Sequence, residues 1–130
     1  MASPSPVFLL GEILWINFPQ RLLPGHEQFG RRPVVVVAVP EAIQSIPYRV
    51  LLVVPLTRTR FSGPLFPLLQ AGTGGLPTDS SALIYQLGAF DVRRVCGRLG
   101  MLSDEDLLPL KQGLKLLFGF DSDSDGDTPQ

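Results

Sequence analysis

A single cysteine, Cys96, and a single histidine, His26, are all that 130 residues hold of those two types. One cysteine cannot close an internal disulfide, which excludes a secreted disulfide scaffold. With so few nitrogen and sulfur ligands, a Cys/His metal site has almost nothing to draw on, so no metal and no cofactor is expected. No apolar run is long enough to cross a membrane as a helix. The opening MASPSPVFLLGEILWINF lacks a basic leader and carries Glu12 inside its apolar stretch, a poor match to a signal peptide. A cytoplasmic chain with no membrane association is therefore expected. Lysine is scarce as well: Lys111 and Lys115 are the only two, so nearly all positive charge is arginine.

Glycine and proline are in excess, at 13 residues each. Both interrupt helices, which argues against a helix bundle. An apolar fraction of 45% excludes wholesale disorder. The net charge of -1 hides an asymmetry. Residues 1–100 carry nine arginines against five acids, a net of +4, while residues 101–130 carry two lysines against seven acids, a net of -5. Residues 121–130 contain four aspartates and no apolar side chain. The expected organisation is a flexible N-terminus over 1–8, one folded domain over 9–119, and a disordered acidic tail over 120–130.

Strands are expected over Gly11–Phe18, over Val34–Val39 and over Arg49–Pro55, where Pro55 should end the strand or put it at an edge. Gly63–Leu69 is a weaker candidate, interrupted by Pro64 and Pro67; Ser81–Leu87 and Val95–Leu102 complete the set. Short strands divided by Gly and Pro indicate a small barrel or rolled sheet. One helix is expected near the C-terminus. Ser103-Asp-Glu-Asp106 has the form of a capping box, and Leu107, Leu110, Leu114, Leu117 and Phe118 follow at helical spacing. Pro109 leaves the start open between Ser103 and Asp106, and Gly119 supplies the stop.

Two polar segments abut the apolar strands. Gly25-His-Glu-Gln-Phe-Gly-Arg-Arg-Pro33 feeds Val34–Val39, and Pro55-Leu-Thr57 closes the next strand, followed by Arg58-Thr-Arg60. If the strands are neighbours, Glu27 can act as a base, Arg32 can stabilise phosphoryl charge and Thr57 can donate to an oxygen. An Arg before a Pro at a strand start also has a purely structural reading.

The motifs add weight to the first reading. Gly11-Glu-Ile-Leu-Trp-Ile-Asn-Phe18 resembles the G-[DE]-I-x-W-[VI]-[DN]-F strand of the MazF/PemK family of toxin ribonucleases. Gly25-x-Glu-Gln-x-Gly-x-Arg-Pro33 is similar to that family's signature at every fixed position, and Pro55-Leu-Thr57 to its P-[LC]-T. Gly75-Leu-Pro-Thr-Asp-Ser80, Gln86 and Arg98-Leu-Gly-Met-Leu-Ser103 extend the resemblance, in order, over residues 10–118. The resemblance implies a mainly β fold, a small SH3-like barrel of antiparallel strands with a C-terminal α-helix. It implies a homodimer that cuts single-stranded RNA without metal and is bound by a cognate MazE-like antitoxin. Attack of the 2'-hydroxyl on the adjacent phosphorus would leave a 2',3'-cyclic phosphate and a 5'-hydroxyl. Arg32 and Thr57 would be the catalytic pair, with Glu27 orienting Arg32 or accepting a proton. Gln28, Arg31, Arg58, Arg60, Gln86, Arg93 and Arg94 are the expected RNA contacts.

The chain departs from the family pattern at Thr78, where a Lys is common, and at Gly88, where a basic residue is common. These departures keep open a degenerate member that only binds RNA or antitoxin. A second alternative is a poison of DNA gyrase resembling CcdB, which shares the fold but needs neither Arg32 nor Thr57. Trp15 is expected in the core or a dimer interface, Cys96 as a small buried side chain, His26 as a loop residue and Tyr85 in packing. The aspartates of the tail are expected to visit the basic RNA groove.

Overall fold

The computed structural model describes residues 7–18 and 30–120. Among them are seven strands and one α-helix: β1 Glu12–Phe18, β2 Gly30–Ala38, β3 Val50–Thr57, β4 Leu68–Leu69, β5 Ser80–Ala82, β6 Gly88–Asp91, β7 Val95–Met101 and α1 Asp104–Phe118. The sheet runs β4-β5-β3-β2-β1-β7, with β6 also on β3, and the pairings are antiparallel. The expectation of a mainly β, rolled antiparallel sheet with a C-terminal helix is met.

The β-branched runs bury both faces of the sheet. Val34, Val35 and Val36 have no solvent exposure. Side chains alternate across a strand, so successive residues enter different cores. Ile13, Val35, Val54 and Leu56 join Leu107 and Leu110 of α1 on one face. Leu14, Ile16, Val34, Val36, Leu51 and Val53 form the other core with Phe8 and Phe18. Phe8 is buried here and the Val7 carbonyl accepts from Arg98, so the described end of the N-terminal segment packs on the body. Residues 1–6, 19–29 (with His26, Glu27 and Gln28) and 121–130 lie outside the described residues.

Several local expectations are corrected. Pro55 does not end its strand, because it sits where β3 exchanges partners. The β2 ladder reaches Val34 opposite Pro55, and β5 takes over at Leu56 opposite Ala82. A missing N–H matters least at such a seam, and the Pro55 carbonyl still accepts from Leu83 N at 2.9 Å. The Gly63–Leu69 candidate contracts to Leu68–Leu69, its two prolines restricting pairing. Ser81–Leu87 divides into β5 and a 3-10 turn over Ile84–Gln86. Strand β6, which pairs with Val50–Val53, carried no sequence signal.

Helix α1 begins at the earlier of the two starts. Ser103 Oγ accepts from Asp106 N at 3.1 Å, and Pro109 lies inside the helix. Gly119 closes it in the left-handed region, at φ 74°.

Candidate functional site

The β2–β3 register brings the two polar segments together. From Val36 opposite Val53 through Val35 opposite Val54 to Val34 opposite Pro55, the pairing is unbroken. Beyond the last pair, Arg32 lies on β2 and Thr57 on β3 at the same end of the two antiparallel strands, although 24 residues lie between them in sequence. An open cavity of about 480 Å³ lies there, walled by Trp15, Arg31, Arg32, Pro33, Leu56, Thr57, Arg58 and Thr59, and by Leu76, Pro77, Thr78 and Ser80. The last four arrive from a glycine turn. A side chain at Gly75, whose φ is +82°, would stand 2.6 Å from the Leu99 carbonyl, so only glycine lets this turn close against β7.

Arg32 is 6% exposed. Its Nη2 donates to the Leu56 carbonyl at 3.3 Å, and its guanidinium lies 5.4 Å from the Phe18 ring centroid. Burial pushes its pKa down from the ordinary arginine value. A guanidinium nevertheless keeps its charge in a protein, so Arg32 is a cation partly stripped of water at the cavity wall. Arg31, exposed, stacks over Trp15 at 4.7 Å. Trp15 fits because position 97, opposite it on β7, is glycine: a Cβ there would meet the indole at 3.2 Å.

Thr57 is half-buried at the end of β3. Its Oγ1 accepts from Thr59 N at 3.2 Å, which turns the chain out of the strand. With that lone pair engaged, the hydroxyl hydrogen is left to donate elsewhere. Arg58 is exposed on the same rim. No acidic side chain is among the described lining residues, so three guanidinium groups, the hydroxyls of Thr57, Thr59, Thr78 and Ser80, and backbone groups surround a cavity suited to an anion.

The remaining expected contacts lie elsewhere. Arg60 pairs with Asp79 at 3.2 Å, and Asp79 also accepts from Ala71 N. Arg93 grips Asp91 through both Nε and Nη2, at 3.1 and 3.0 Å. Arg94 is exposed on the turn before β7, and Gln86 donates to the Tyr85 hydroxyl at 3.2 Å. None of these four lines the cavity, whereas Thr78 does.

Trp15 is the cavity residue that sequence reasoning placed elsewhere. Its signal is the alternation in β1, where Trp15 shares a face with polar Asn17 while Ile16 and Phe18 point to the core. Cys96 is exposed, not buried: β7 is an edge strand, and the thiol reaches only the Trp15 carbonyl at 3.6 Å. No group of three or more His, Cys, Asp or Glu that could hold a metal occurs among the described residues. No helix among them is long and apolar enough to cross a membrane.

A family model for PemK-like, MazF-like toxins of type II toxin–antitoxin systems matches residues 10–118. The chain belongs to that family. MazF from Deinococcus radiodurans is 27% identical, with a TM-score of 0.67 over 88% of this chain and 99% of that one. The MazE–MazF complex of the same organism gives 28% identity and a TM-score of 0.68, over 90% and 100%. An endoribonuclease in complex with its cognate antitoxin, from a mycobacterial species, shares the fold at 14% identity, with a TM-score of 0.68 over 89% and 99%. Arg32 and Thr57 of this PemK/MazF-like chain thus stand in motif positions and in one cavity.

Proposed function

We propose that the chain is the toxin of a type II pair and cuts single-stranded RNA without metal, in the cytoplasm, as a homodimer. The observation carrying this reading is that Arg32 and Thr57 line one cavity, with Arg31 and Arg58 and no described acid. A scissile phosphate seated there receives charge-assisted hydrogen bonds from Arg32 and a hydroxyl donor from Thr57. Such donors matter most when charge builds on the phosphoryl oxygens in the transition state. The 2'-oxygen forms its bond to phosphorus as the bond to the 5'-oxygen breaks. The proton lost by the 2'-hydroxyl is balanced, through water, by one gained at the 5'-oxygen, leaving a 2',3'-cyclic phosphate and a 5'-hydroxyl. Glu27 orients Arg32, since a carboxylate beside a guanidinium holds it in one geometry.

Relatives crystallised with MazE support a MazE-like antitoxin as partner. A segment of such a partner seated on the surface that RNA uses would make antitoxin binding and cleavage mutually exclusive.

The test is incubation of the purified protein with a long single-stranded RNA in EDTA, with the cut ends mapped. Cyclic-phosphate ends are expected, and Arg32→Ala should slow cutting by about 10²- to 10³-fold. Equal cutting by the variant, or cutting only when Mg²⁺ is supplied, overturns the mechanism. Intact RNA that is nonetheless bound would identify a family member that binds without catalysis.

A further inference from the structure

Three aromatic side chains share a surface, Phe61 and Phe66 on the segment that leaves β3 and Tyr85 on the 3-10 turn after β5. Phe61 stacks on Phe66 with centroids 4.9 Å apart and planes at 22°. Tyr85 meets Phe66 edge-on at 5.7 Å and 73°. These rings are not hidden: Phe61 is 43% exposed and Tyr85 52%. A contiguous exposed apolar patch marks a place where something binds.

The surface is held in place from several sides. Phe66 N donates to the Gly63 carbonyl at 2.9 Å, Ala82 N to Pro67 at 2.8 Å and Ile84 N to Leu65 at 3.2 Å. Phe61 N donates to Ser81 Oγ at 3.3 Å, and Leu65 packs against the core. Pro64 and Pro67 fix two φ angles of the same loop. The rings are therefore positioned before any partner arrives, and little ordering entropy is lost on binding.

Neighbouring charge indicates the partner. Thr57, Arg58 and Thr59 line the arginine cavity, and Phe61 follows Thr59 by two residues, at most about 7 Å of chain. Ser81, which anchors Phe61, is the cross-strand partner of Thr57. Exposed aromatic faces beside guanidinium groups are the combination that binds single-stranded nucleic acid, with phosphates on the cations and bases on the rings. We propose that Phe61, Phe66 and Tyr85 form a stacking shelf for a nucleobase next to the phosphate held by Arg31, Arg32 and Arg58. Gln86, whose amide donates to the Tyr85 hydroxyl, stands at the rim and reads the edge of that base. The shelf rests on the reading of the cavity as a site for single-stranded RNA.

The test uses the full chain and a single-stranded 2'-O-methyl RNA, which binds but has no free 2'-hydroxyl to attack phosphorus. 2-Aminopurine is placed at successive positions. Wild-type protein should quench its fluorescence at one position. Phe61→Leu and Tyr85→Leu should each relieve the quenching and weaken binding by about 5- to 100-fold, leaving the salt dependence unchanged. Arg58→Ala should lower the salt dependence instead. Tyr48→Leu, at a still more exposed ring before the other end of β3, should change neither. No quenching by wild-type protein, or unchanged binding by both leucine variants, overturns the shelf and leaves the surface to a protein partner. Because the probe is never cut, the two readings fail separately. Normal RNA cutting with no stacking overturns the shelf alone, and stacking in a protein that does not cut RNA overturns the nuclease alone.

Discussion

Two charged side chains are buried among the described residues, Arg32 and Glu12, and their surroundings differ in kind. Glu12 is saturated: it accepts from Leu9 N at 3.2 Å and from Arg98 Nε and Nη2 at 2.6 and 3.2 Å. Arg98 also lies 4.7 Å over the Phe8 ring and donates to the Val7 carbonyl, so this pair ties residues 7–9 to β1 and β7. Arg32, in contrast, has five N–H donors and among the described residues gives one to a carbonyl. A buried cation with donor capacity to spare belongs to a site; a buried anion with its lone pairs engaged belongs to the framework. Arg98→Met should therefore leave cutting chemistry intact while lowering stability by about 1–3 kcal/mol, because the Glu12 carboxylate stays buried with only Leu9 N as partner. Arg98 is 46% exposed, which places the loss toward the lower end. Thermal unfolding of this variant and of Arg98→Met with Glu12→Gln is the check, the second change recovering part of the loss.

At the scale of the element, α1 holds two residues that helices usually avoid, and they act in opposite senses. Pro109 is exposed and removes the hydrogen bond that its N–H would give the Glu105 carbonyl. Gly113 is buried, and a Cβ there would stand 2.9 Å from the Pro64 carbonyl and 3.0 Å from Ile84 Cγ1. Alanine favours a helix over both residues, yet only one site has room for it. Pro109→Ala should raise the unfolding midpoint and Gly113→Ala should lower it, by about 1–3 kcal/mol each in opposite directions. Denaturant titration of the two variants checks this; a stabilised Gly113→Ala would show that the helix and the Pro64 loop separate without cost. The stop of α1 was legible in sequence and its start narrowed to two residues, since Ser103 and Gly119 act through bonds to residues no more than four positions away. The need for Gly113 was not, because the atoms it avoids belong to Pro64 and Ile84, about fifty and thirty residues earlier.

Across the whole molecule, ion pairs on the surface set the response to acid. The Arg49 side chain bonds Glu41 at 2.7 Å and holds its carboxyl below the usual range. Asp79 is held low chiefly by Ala71 N and then by Arg60, and Asp91 by the side chain of Arg93. A carboxyl whose folded pKa is depressed adds stability above its unfolded pKa, about 4, and loses it as pH falls through the lower folded value. The unfolding midpoint should thus be insensitive to these groups from neutrality to about pH 5 and decline below about pH 4. Asp79→Asn should flatten that decline. A midpoint that falls as steeply in the variant would assign the acid response to other groups. All three carboxyls are accessible to solvent, so each effect is small and weakens further in salt.

The amino-acid sequence alone determined what depends on near neighbours. Alternating and continuous β-branched runs marked β1, β2 and β3; the Gly119 stop ended α1 and the Ser103 cap offered one of its two starts; the motif residues named Arg32 and Thr57. Tertiary structure decided what depends on distant ones. The register that carries Arg32 and Thr57 to the same end of β2 and β3 is selected by which side chains of three adjacent strands fill two cores at once, and a slip of one residue would exchange the faces. The same packing placed Trp15 in a cavity wall, kept Pro55 within a strand and left Cys96 at an exposed edge. It also gathered Phe61, Phe66 and Tyr85, which no periodicity in the sequence connects, beside the arginines.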